Sequence, residues 1–324
     1  MRPFSAHAAS AAIRRAVVGE HKKPSSVRMD ERNIANHVLP LLGELYVEEV
    51  TRNDIDNFKI DLKAGKRADP AASRRSGYRG GAVVTGGPGV ANRCLALLSK
   101  MFNLAERWGV RPDNTNPVRH IGKYAESKKE RYLTGDEFER LATALSEAER
   151  KEAENPFVIA AIRLLVLTGA RLGEILSLRW ADVNFEHGML LLGDSKTGRK
   201  TIFLSKPAME LLNRLPRLSG NPYVIVGSRH GQHLKNLQKP WGRIRGAAKL
   251  PDVRIHDLRH SFASIAAASG MSLPVIGKLL GHSKSATTER YSHLAADPLK
   301  AANEAIGQQL AKLLGSGKWT DAVS

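Results

Sequence analysis

The segment that most constrains the fold is NPFVIAAIRLLVLTG, residues 155–169, because its apolar side chains occupy nearly every side of a helix. Such a helix is stable in water only when other elements cover it all round. The later segment VNFEHGMLLLGDSKTGRKTIFLS changes to strand-forming residues, with a turn centred on residues 195–198. The second half of the chain is therefore predicted to be helical, with a small antiparallel sheet.

The first half is predicted to be helical throughout. A helix that starts near Met29 is expected to end before Pro40, since proline cannot continue a helix. In TRNDIDNFKIDLKAG, Thr51 is the expected N-cap and Asp54 the third helical residue of a capped helix. PGVANRCLALLSKMFNLAERWG predicts a third helix. Its apolar stripe contains Leu95, Leu98, Phe102 and Ala105.

Two segments interrupt the helical patterns. The loop KAGKRADPAASRRSGYRGGAVVTGGPG is too long for a plain connection, so it is either functional or disordered. Residues 114–131 lack an apolar period and are predicted to link two domains, after which Thr134 and Glu137 form the capping box of a new helix. The predicted organisation is a lead of residues 1–28, mobile or a short helix, a helical domain 29–113, the linker 114–131, a second domain 132–314 and a tail 315–324.

The chain carries 50 Lys and Arg against 32 Asp and Glu, a formal net charge of +18. Residues 1–125 contribute 21 cations and 12 acids and the rest contribute 29 and 20, so each part is about +9. Nucleic acid is the first partner to consider, since neutralised phosphates release counterions. The even split predicts two domains that both face a polyanion.

Other partners and compartments are less favoured. The sequence has no apolar run of about 18 residues and no cleavable signal pattern, which argues against a membrane. The single cysteine, Cys94, excludes an intramolecular disulfide and indicates a reducing cytoplasm. No Cys/His cluster has the spacing of a zinc site.

Short motifs in the second domain carry chemically active side chains. These are Arg171 and Glu174 in TGARLGEILSL, Lys196 in GDSKTGRK, His256 and Arg259 in HDLRHS, His282 in LLGH, and Tyr291 in ERYSHL. Taken singly, each has an ordinary explanation, such as a local ion pair, a solvated lysine, a capping histidine or an interfacial tyrosine.

Together these side chains suit phosphoryl transfer on DNA. Two arginines present planar forks to phosphate oxygens, and a phenol is a candidate covalent nucleophile. With an unperturbed pKa of about 10, the phenol must give its proton to a neighbour, and an imidazole can accept it. The lysine can protonate the leaving 5′ oxygen. No carboxylate pair suggests two metal ions, and we expect neither a metal nor a cofactor.

The motifs ARLGEIL, HDLRHSFAS, LLGH and TERYSHL, in this order and spacing, resemble the tyrosine recombinase (phage integrase) family. HVLPLLGELYVEEVTRNDIDNF is similar to the start of that family's core-binding domain, so the resemblance extends from about residue 29 to about residue 314. It implies a mainly α fold with a small antiparallel β-sheet, whose helical core-binding and mixed catalytic domains close on DNA as a C-shaped clamp. The implied catalytic residues are Arg171, Lys196, His256, Arg259, His282 and Tyr291, with Glu174 as a supporting acid.

The resemblance also implies a reaction, that of a site-specific recombinase from a bacterial prophage or genomic island. Tyr291 attacks the scissile phosphate, which leaves a 3′-phosphotyrosine and a free 5′ hydroxyl. The hydroxyl of a partner duplex then attacks that linkage, and no ATP is needed because the phosphoester is preserved. The protein is expected to be a monomer when free and a tetramer on two synapsed duplexes of double-stranded DNA, with an excision factor as a further partner.

The positive charges of the basic loop predict DNA contacts independently of the family resemblance. Its cations could follow backbone phosphates as the first domain docks, and a solvated flexible loop is the alternative. The predicted contacts are Lys66, Arg67, Arg74 and Arg75 in the loop, with Arg93 and Lys100 on the helix that follows.

Several alternatives are compatible with parts of the pattern. Only about 28 residues precede the resemblance, so either the protein works without the arm-binding domain of many integrases or the true start lies upstream. A type IB topoisomerase shares the chemistry, but the core-binding type of domain argues against it. A catalytically silent DNA-binding relative is disfavoured because all six residues are present, and an RNA-binding protein because no aromatic stacking motif is found.

Overall fold

A computed structural model describes residues 24–65, 86–126, 130–195, 198–282, 284–295, 303–304 and 306–310. The chain divides into two units, Met1–Lys128 and Lys129–Ser324. The predicted class is confirmed, since helices predominate and the sheet has three antiparallel strands. Within these ranges, no helix combines the length and apolar character needed to cross a bilayer.

In its described part, the first unit contains helices on either side of the long basic loop. They are α1 Pro24–Asn33, α2 Leu39–Leu42, α3 Arg52–Lys63 and α4 Pro88–Arg107. α3 begins with the predicted capping box, in which Thr51 Oγ1 accepts from the Asp54 N–H and the Asp54 carboxylate accepts from the Thr51 N–H. The apolar stripe of α4 is buried as predicted, and it packs against α3.

The first α-helix ends before Pro40, as predicted, but helical structure continues through this proline. A π-helical turn, Ile34–Val38, follows α1, and Pro40 lies inside α2, which continues to Leu42. The N–H of Leu39 donates to the carbonyl of Ile34, five residues back. This wider turn accommodates a proline ring, which in a regular α-helix clashes with the carbonyl four residues before it.

The segment after α4 remains attached to the first unit. Arg111 is buried and donates to the carbonyls of Val50 at 3.2 Å and Thr115 at 3.1 Å. Asn92 on α4 donates to the carbonyl of Tyr124 and accepts from its N–H, both at 2.9 Å. Part of the predicted linker 114–131 is thus fixed to the helical unit, and its boundaries stay a prediction.

The second unit is built around the apolar helix. Among its described residues up to Leu280, the α-helices are α5 Gly135–Arg150, α6 Pro156–Thr168, α7 Leu172–Leu176, α8 Lys206–Arg214, α9 Gln238–Ala247, α10 Ile255–Ala268 and α11 Leu273–Leu280. α5 starts with the predicted capping box of Thr134 and Glu137. α6 contacts α5, α7, α8 and α10, so the prediction of a helix covered by its neighbours is confirmed.

The sheet consists of β1 Val183–Asn184, β2 Met189–Ser195 and β3 Gly198–Phe203, in the order β1-β2-β3. Leu190 pairs with both Val183 and Ile202, which fixes the register. On β3, Lys200 and Ile202 are buried while Thr201 between them is exposed, as the period of two requires. A lysine therefore points into the core from the sheet.

The segment SATTERYSHL belongs to the half of the chain that is predicted to be helical apart from its sheet. It forms two 3₁₀ segments, Ser285–Thr287 and Glu289–Ala295, in place of an α-helix. The N–H of Tyr291 donates to the carbonyl of Thr288, three residues back. The consecutive threonines contribute to this choice, since β-branched side chains disfavour the α-helix.

Candidate active site

Two arginines meet at the C-terminal end of α11. Arg259 on α10 donates to the carbonyls of Leu280 and Gly169, each at 2.7 Å. Arg171, the N-cap residue of α7, donates to the carbonyl of Gly281 at 3.2 Å. Because Leu280 and Gly281 are consecutive, one helix end anchors both guanidinium groups. The partial negative charge of that helix end offsets some of the repulsion between the two cations.

Two of these carbonyls belong to Gly169 and Gly281. Each of these glycines caps the C-terminal end of a helix and adopts a left-handed backbone conformation. The φ angle is 59° at Gly169 and 66° at Gly281. A Cβ at Gly169 would lie 2.6 Å from the Phe262 ring, and a Cβ at Gly281 would lie 2.6 Å from Cε of Lys200. Both the conformation and the close approach therefore require glycine at these positions.

Glu174 lies between Arg171 and Lys200. Its carboxylate accepts from Nη1 of Arg171 at 2.9 Å, from the Arg171 N–H at 2.8 Å and from Nζ of Lys200 at 2.7 Å. Burial alone would raise the pKa of Glu174, but the hydrogen bonds and charges of Lys200 and Arg171 outweigh burial and lower this pKa. Burial and the two arginines, Arg259 and Arg171, lower the pKa of Lys200 against the attraction of Glu174.

Arg259 and His282 both lie close to other positively charged side chains. Burial, reinforced by the charge of Arg171, lowers the pKa of Arg259 to about 10, so this side chain is still protonated at neutral pH. Burial and then the charges of Arg259 and Arg171 lower the pKa of His282 to about 4. Its Nδ1 lies 2.8 Å from Oγ1 of Thr288. When Nδ1 accepts from that hydroxyl, the neutral imidazole carries its proton on Nε2.

A cavity of about 430 Å³ lies beside Arg259. Basic residues on its walls are Arg245, Arg254, His256 and Arg259, and Trp241 forms part of its apolar wall. Partial burial and the charge of Arg259 lower the pKa of His256. Guanidinium forks in such a cavity suit phosphate oxygens.

Tyr291 is buried, with 1% of its surface exposed. Its ring packs among residues of α10 and α11, including Ala263, Ile276 and Leu280. Its Oη lies 2.7 Å from Nδ1 of His260. Burial raises the pKa of the Tyr291 phenol, and the charges of two nearby arginines act in the opposite direction. The phenol is therefore protonated at neutral pH.

The second unit holds all the predicted catalytic residues that the structure describes. They are Arg171 beside α7, His256 and Arg259 on α10, His282 after α11 and Tyr291 in the last 3₁₀ segment. Lys196 lies outside the described residues, as do the predicted DNA contacts Lys66, Arg67, Arg74 and Arg75. Arg93 and Lys100 are exposed on α4, and their spacing of seven residues puts them on one side of that helix.

Three residues at the site were not selected from the sequence: Lys200, His260 and Thr288. Each had a weak signal. Lys200 shares a strand face with an apolar residue, and a lysine there is unusual. His260 follows Arg259 directly in HDLRHS, and Thr288 precedes Tyr291 by one 3₁₀ turn. These signals become specific only when the partner of each residue is known.

Comparison with known proteins identifies the relatives of this chain. The model of the "Phage integrase family" matches residues 131–297. The shufflon-specific DNA recombinase of Escherichia coli is 31% identical over 224 residues, which cover 68% of this chain and 54% of that protein. The chain thus spans about half the length of this relative. Tyrosine recombinase XerD of Pasteurella multocida is 25% identical over 296 residues, which cover 86% of this chain and 92% of that protein.

Solved structures support the same fold. A crystal structure of a lambda integrase dimer bound to a COC′ core site matches with a TM-score of 0.66 and 20% sequence identity. The match covers 88% of this chain and 94% of that one. At this identity the likeness is one of fold.

Proposed function

The chain belongs to the phage integrase family, and from this premise we propose that it is a site-specific DNA recombinase. It cuts and rejoins double-stranded DNA through a 3′-phosphotyrosine intermediate, and so integrates or excises a mobile element. One observation carries the proposal: Arg259 donates to the carbonyl of Leu280 and Arg171 to that of Gly281, two consecutive carbonyls directly before His282. Two forks and an imidazole at one helix end form a receptor for a phosphodiester.

The proposed chemistry is a transesterification. Oη of Tyr291 attacks the phosphorus and gives its proton to an imidazole of the site, a phosphotyrosine bond forms, and the bond to the 5′ oxygen breaks. Lys196 supplies the proton that the leaving 5′ oxygen takes up. Attack on the phosphotyrosine by the 5′ hydroxyl of a partner duplex restores the phosphodiester and the phenol. Each step breaks one phosphoester bond and forms another, so the reaction needs no energy source.

The other residues stabilise charge in this scheme. Arg171 and Arg259 bind the non-bridging oxygens, where negative charge grows in the transition state. His282, neutral at pH 7, donates from Nε2 to the phosphate, and His256 lies on the wall of the adjoining cavity. Glu174 orients Arg171 through two hydrogen bonds and stays ionised because its pKa is lowered.

The proposed partners follow from the same reaction. The free protein is a monomer, four protomers act on two duplexes, and an excision factor sets the direction. In support of a DNA substrate, the relatives include a DNA recombinase by name, and the lambda integrase dimer was solved on a core site. Closure of the two domains on DNA as a clamp stays a prediction.

A nicked duplex that carries the candidate recombination site tests the proposal. The nick lets the short 5′ fragment diffuse away, so a covalent protein–DNA adduct accumulates and is seen on a denaturing gel. Wild-type protein should form the adduct, and Tyr291→Phe should bind the site but form none, because only the hydroxyl is lost. If the adduct still forms with Tyr291→Phe, another residue must be the nucleophile. Relaxation of any supercoiled plasmid by a monomer would instead identify a topoisomerase.

A further inference from the structure

The position of Tyr291 does not suit attack on DNA. Its side chain is 1% exposed and lies within an apolar cluster between α10 and α11. Even water has almost no access to this side chain, and a phosphate is larger than a water molecule. A phosphate therefore cannot reach the Tyr291 oxygen in this position. Among the described residues, Tyr291 is also absent from the wall of the cavity beside Arg259. The hydroxyl must therefore move before it can meet a phosphate held by the arginines.

One side chain holds the hydroxyl in this buried position. Nδ1 of His260 lies 2.7 Å from Oη of Tyr291, and His260 is itself buried, with 6% of its surface exposed. His260 occupies α10 one turn after His256, whose ring centroid lies 4.9 Å away. The other groups that influence its charge are Asp257 and Arg254 from the start of α10 and Arg290 from the last 3₁₀ segment.

The protonation state makes His260 an acceptor. A protonated imidazole has no lone pair to offer, whereas a neutral one accepts at one nitrogen. Burial, then the charges of His256 and Arg290, lower the pKa of His260 to about 4, so the ring is neutral at pH 7. A base this weak is poorly suited to remove a phenol proton, so its role is to hold the O–H group.

We propose that His260 is a positioning residue that keeps the hydroxyl of Tyr291 in a buried, stored position in the DNA-free protein, and that this hydrogen bond must open before strand cleavage. The inference rests on the proposed function, because it takes Tyr291 as the nucleophile. It gives the free protein a reason to be inert: the nucleophile becomes available only when binding of the DNA site supplies contacts that favour the released conformation.

The first test is single-turnover adduct formation on the nicked duplex at saturating protein. His260→Leu removes the acceptor and keeps an apolar filling, so release of Tyr291 becomes easier. Loss of one buried hydrogen bond typically changes an equilibrium constant by a factor of about 2 to 10. The released position of Tyr291 should be favoured by that factor, and the rate of adduct formation should rise accordingly. His260→Asn, which keeps an acceptor oxygen near the place of Nδ1, should raise the rate less. A rate that is unchanged or falls in a folded His260→Leu protein would overturn the proposal.

The second test does not depend on the stability of the Leu variant. Imidazole ¹⁵N NMR of the free wild-type protein should show a His260 Nδ1 resonance that shifts when Tyr291 is replaced by Phe. Adding the nicked duplex to Tyr291→Phe should leave that resonance where it is, while adding it to wild type should move the resonance to the position found in Tyr291→Phe. Identical free-state spectra, or a wild-type resonance that DNA does not move, would refute the stored position.

The two proposals fail in different ways. If wild-type protein forms no adduct on its site, the recombinase assignment fails, whatever His260 does. If wild type forms the adduct and Tyr291→Phe does not, the assignment holds, and the His260 variants and spectra then decide the stored position alone.

Discussion

Lys200 and Glu174 form a buried ion pair that joins strand β3 to helix α7, with Nζ 2.7 Å from Oε2 and side chains 4% and 9% exposed. The aliphatic stem of Lys200 also fills the space beside Gly281, where a Cβ would lie 2.6 Å from its Cε. One lysine thus supports the acid that orients Arg171 and the helix end that anchors both arginines. The site depends on a residue that need not touch DNA.

Replacement of Lys200 tests this support. Lys200→Met keeps the length of the stem but leaves the carboxylate of Glu174 without its buried cation. Removing one partner of a buried pair typically costs about 3–5 kcal/mol, and the free energy of unfolding from urea denaturation should fall by that order. Lys206→Met, at an exposed position at the start of α8, is the matched control and should change it by less than about 0.5 kcal/mol. If the two substitutions change the free energy of unfolding equally, the pair of Lys200 and Glu174 contributes nothing to stability.

Arg171→Lys should not preserve cleavage. A lysine keeps the charge but cannot reproduce a fork that binds Glu174, the Gly281 carbonyl and a phosphate oxygen together. By analogy with the loss of one oxyanion donor, transition-state stabilisation should fall by about 3–4 kcal/mol. Single-turnover cleavage of the nicked site measures this loss, with Arg214→Lys on the exposed face of α8 as the control. A rate of Arg171→Lys within tenfold of wild type would assign Arg171 a structural role only.

The general acid is tested with a modified substrate. If Lys196 protonates the leaving 5′ oxygen, a 5′-bridging sulfur should restore cleavage by Lys196→Ala, because a thiolate leaves without a proton. The same substrate should not restore Arg259→Ala, whose defect lies in binding the non-bridging oxygens. Cleavage assays with both substrates give the comparison. Rescue of both variants, or of neither, would remove the assignment.

Local signals predicted much of the fold. The caps at Thr51 and Thr134 and the all-round apolar α6 each depend on a few consecutive residues, and all three were found from the sequence. The motif set led to the candidate site because its residue types and spacings are specific. The pairs that join distant segments, such as Lys200 with Glu174 and His260 with Tyr291, were missed. Such a pair exists only once the tertiary fold has brought two segments together, and neither segment contains a sign of the other.

The stability of the free protein should fall as the pH falls from about 6.5 towards 4. The folded-state pKa values of His260 and His282 are about 4, below the ordinary value of 6.5. In that interval the unfolded chain binds more protons than the native one, so protonation favours unfolding, and the stability is fully present only above pH 6.5. Urea denaturation at a series of pH values measures the slope.

A variant assigns part of this slope to the site. His282→Gln should remove the share that His282 contributes, so the difference in slope between this variant and wild type measures that share. Carboxylates act at lower pH: the hydrogen bonds from Arg131 lower the pKa of Glu137 to about 2, so its contribution is lost below about pH 4.5. A wild-type protein whose stability is constant between pH 6.5 and 4.5 would contradict the buried neutral histidines.

The described residues on the two sides of the basic loop lie next to each other. The N–H of Gly87 donates to the carbonyl of Leu62 at 3.0 Å, and a Cβ on Gly86 would lie 3.1 Å from Cα of Gly65. Residues 66–85 lie outside the described residues, but the two ends that hold them are adjacent. Replacing 66–85 with a short Gly-Ser linker should therefore leave the thermal unfolding of the protein nearly unchanged, since loop length affects stability only weakly.

The same replacement should weaken DNA binding. Interactions with phosphates carry affinity but no sequence information, so affinity for the specific site and for random DNA should fall by similar factors. The slope of log K against log salt should flatten by up to about 0.9 for each phosphate that the loop no longer neutralises. The triple variant Arg67→Ala, Arg74→Ala, Arg75→Ala is the matched control, because it keeps the loop length and removes only cations. If the slope is the same in wild type, the triple variant and the linker protein, the loop does not touch DNA. A decrease confined to the specific site would instead mean that the loop reads bases.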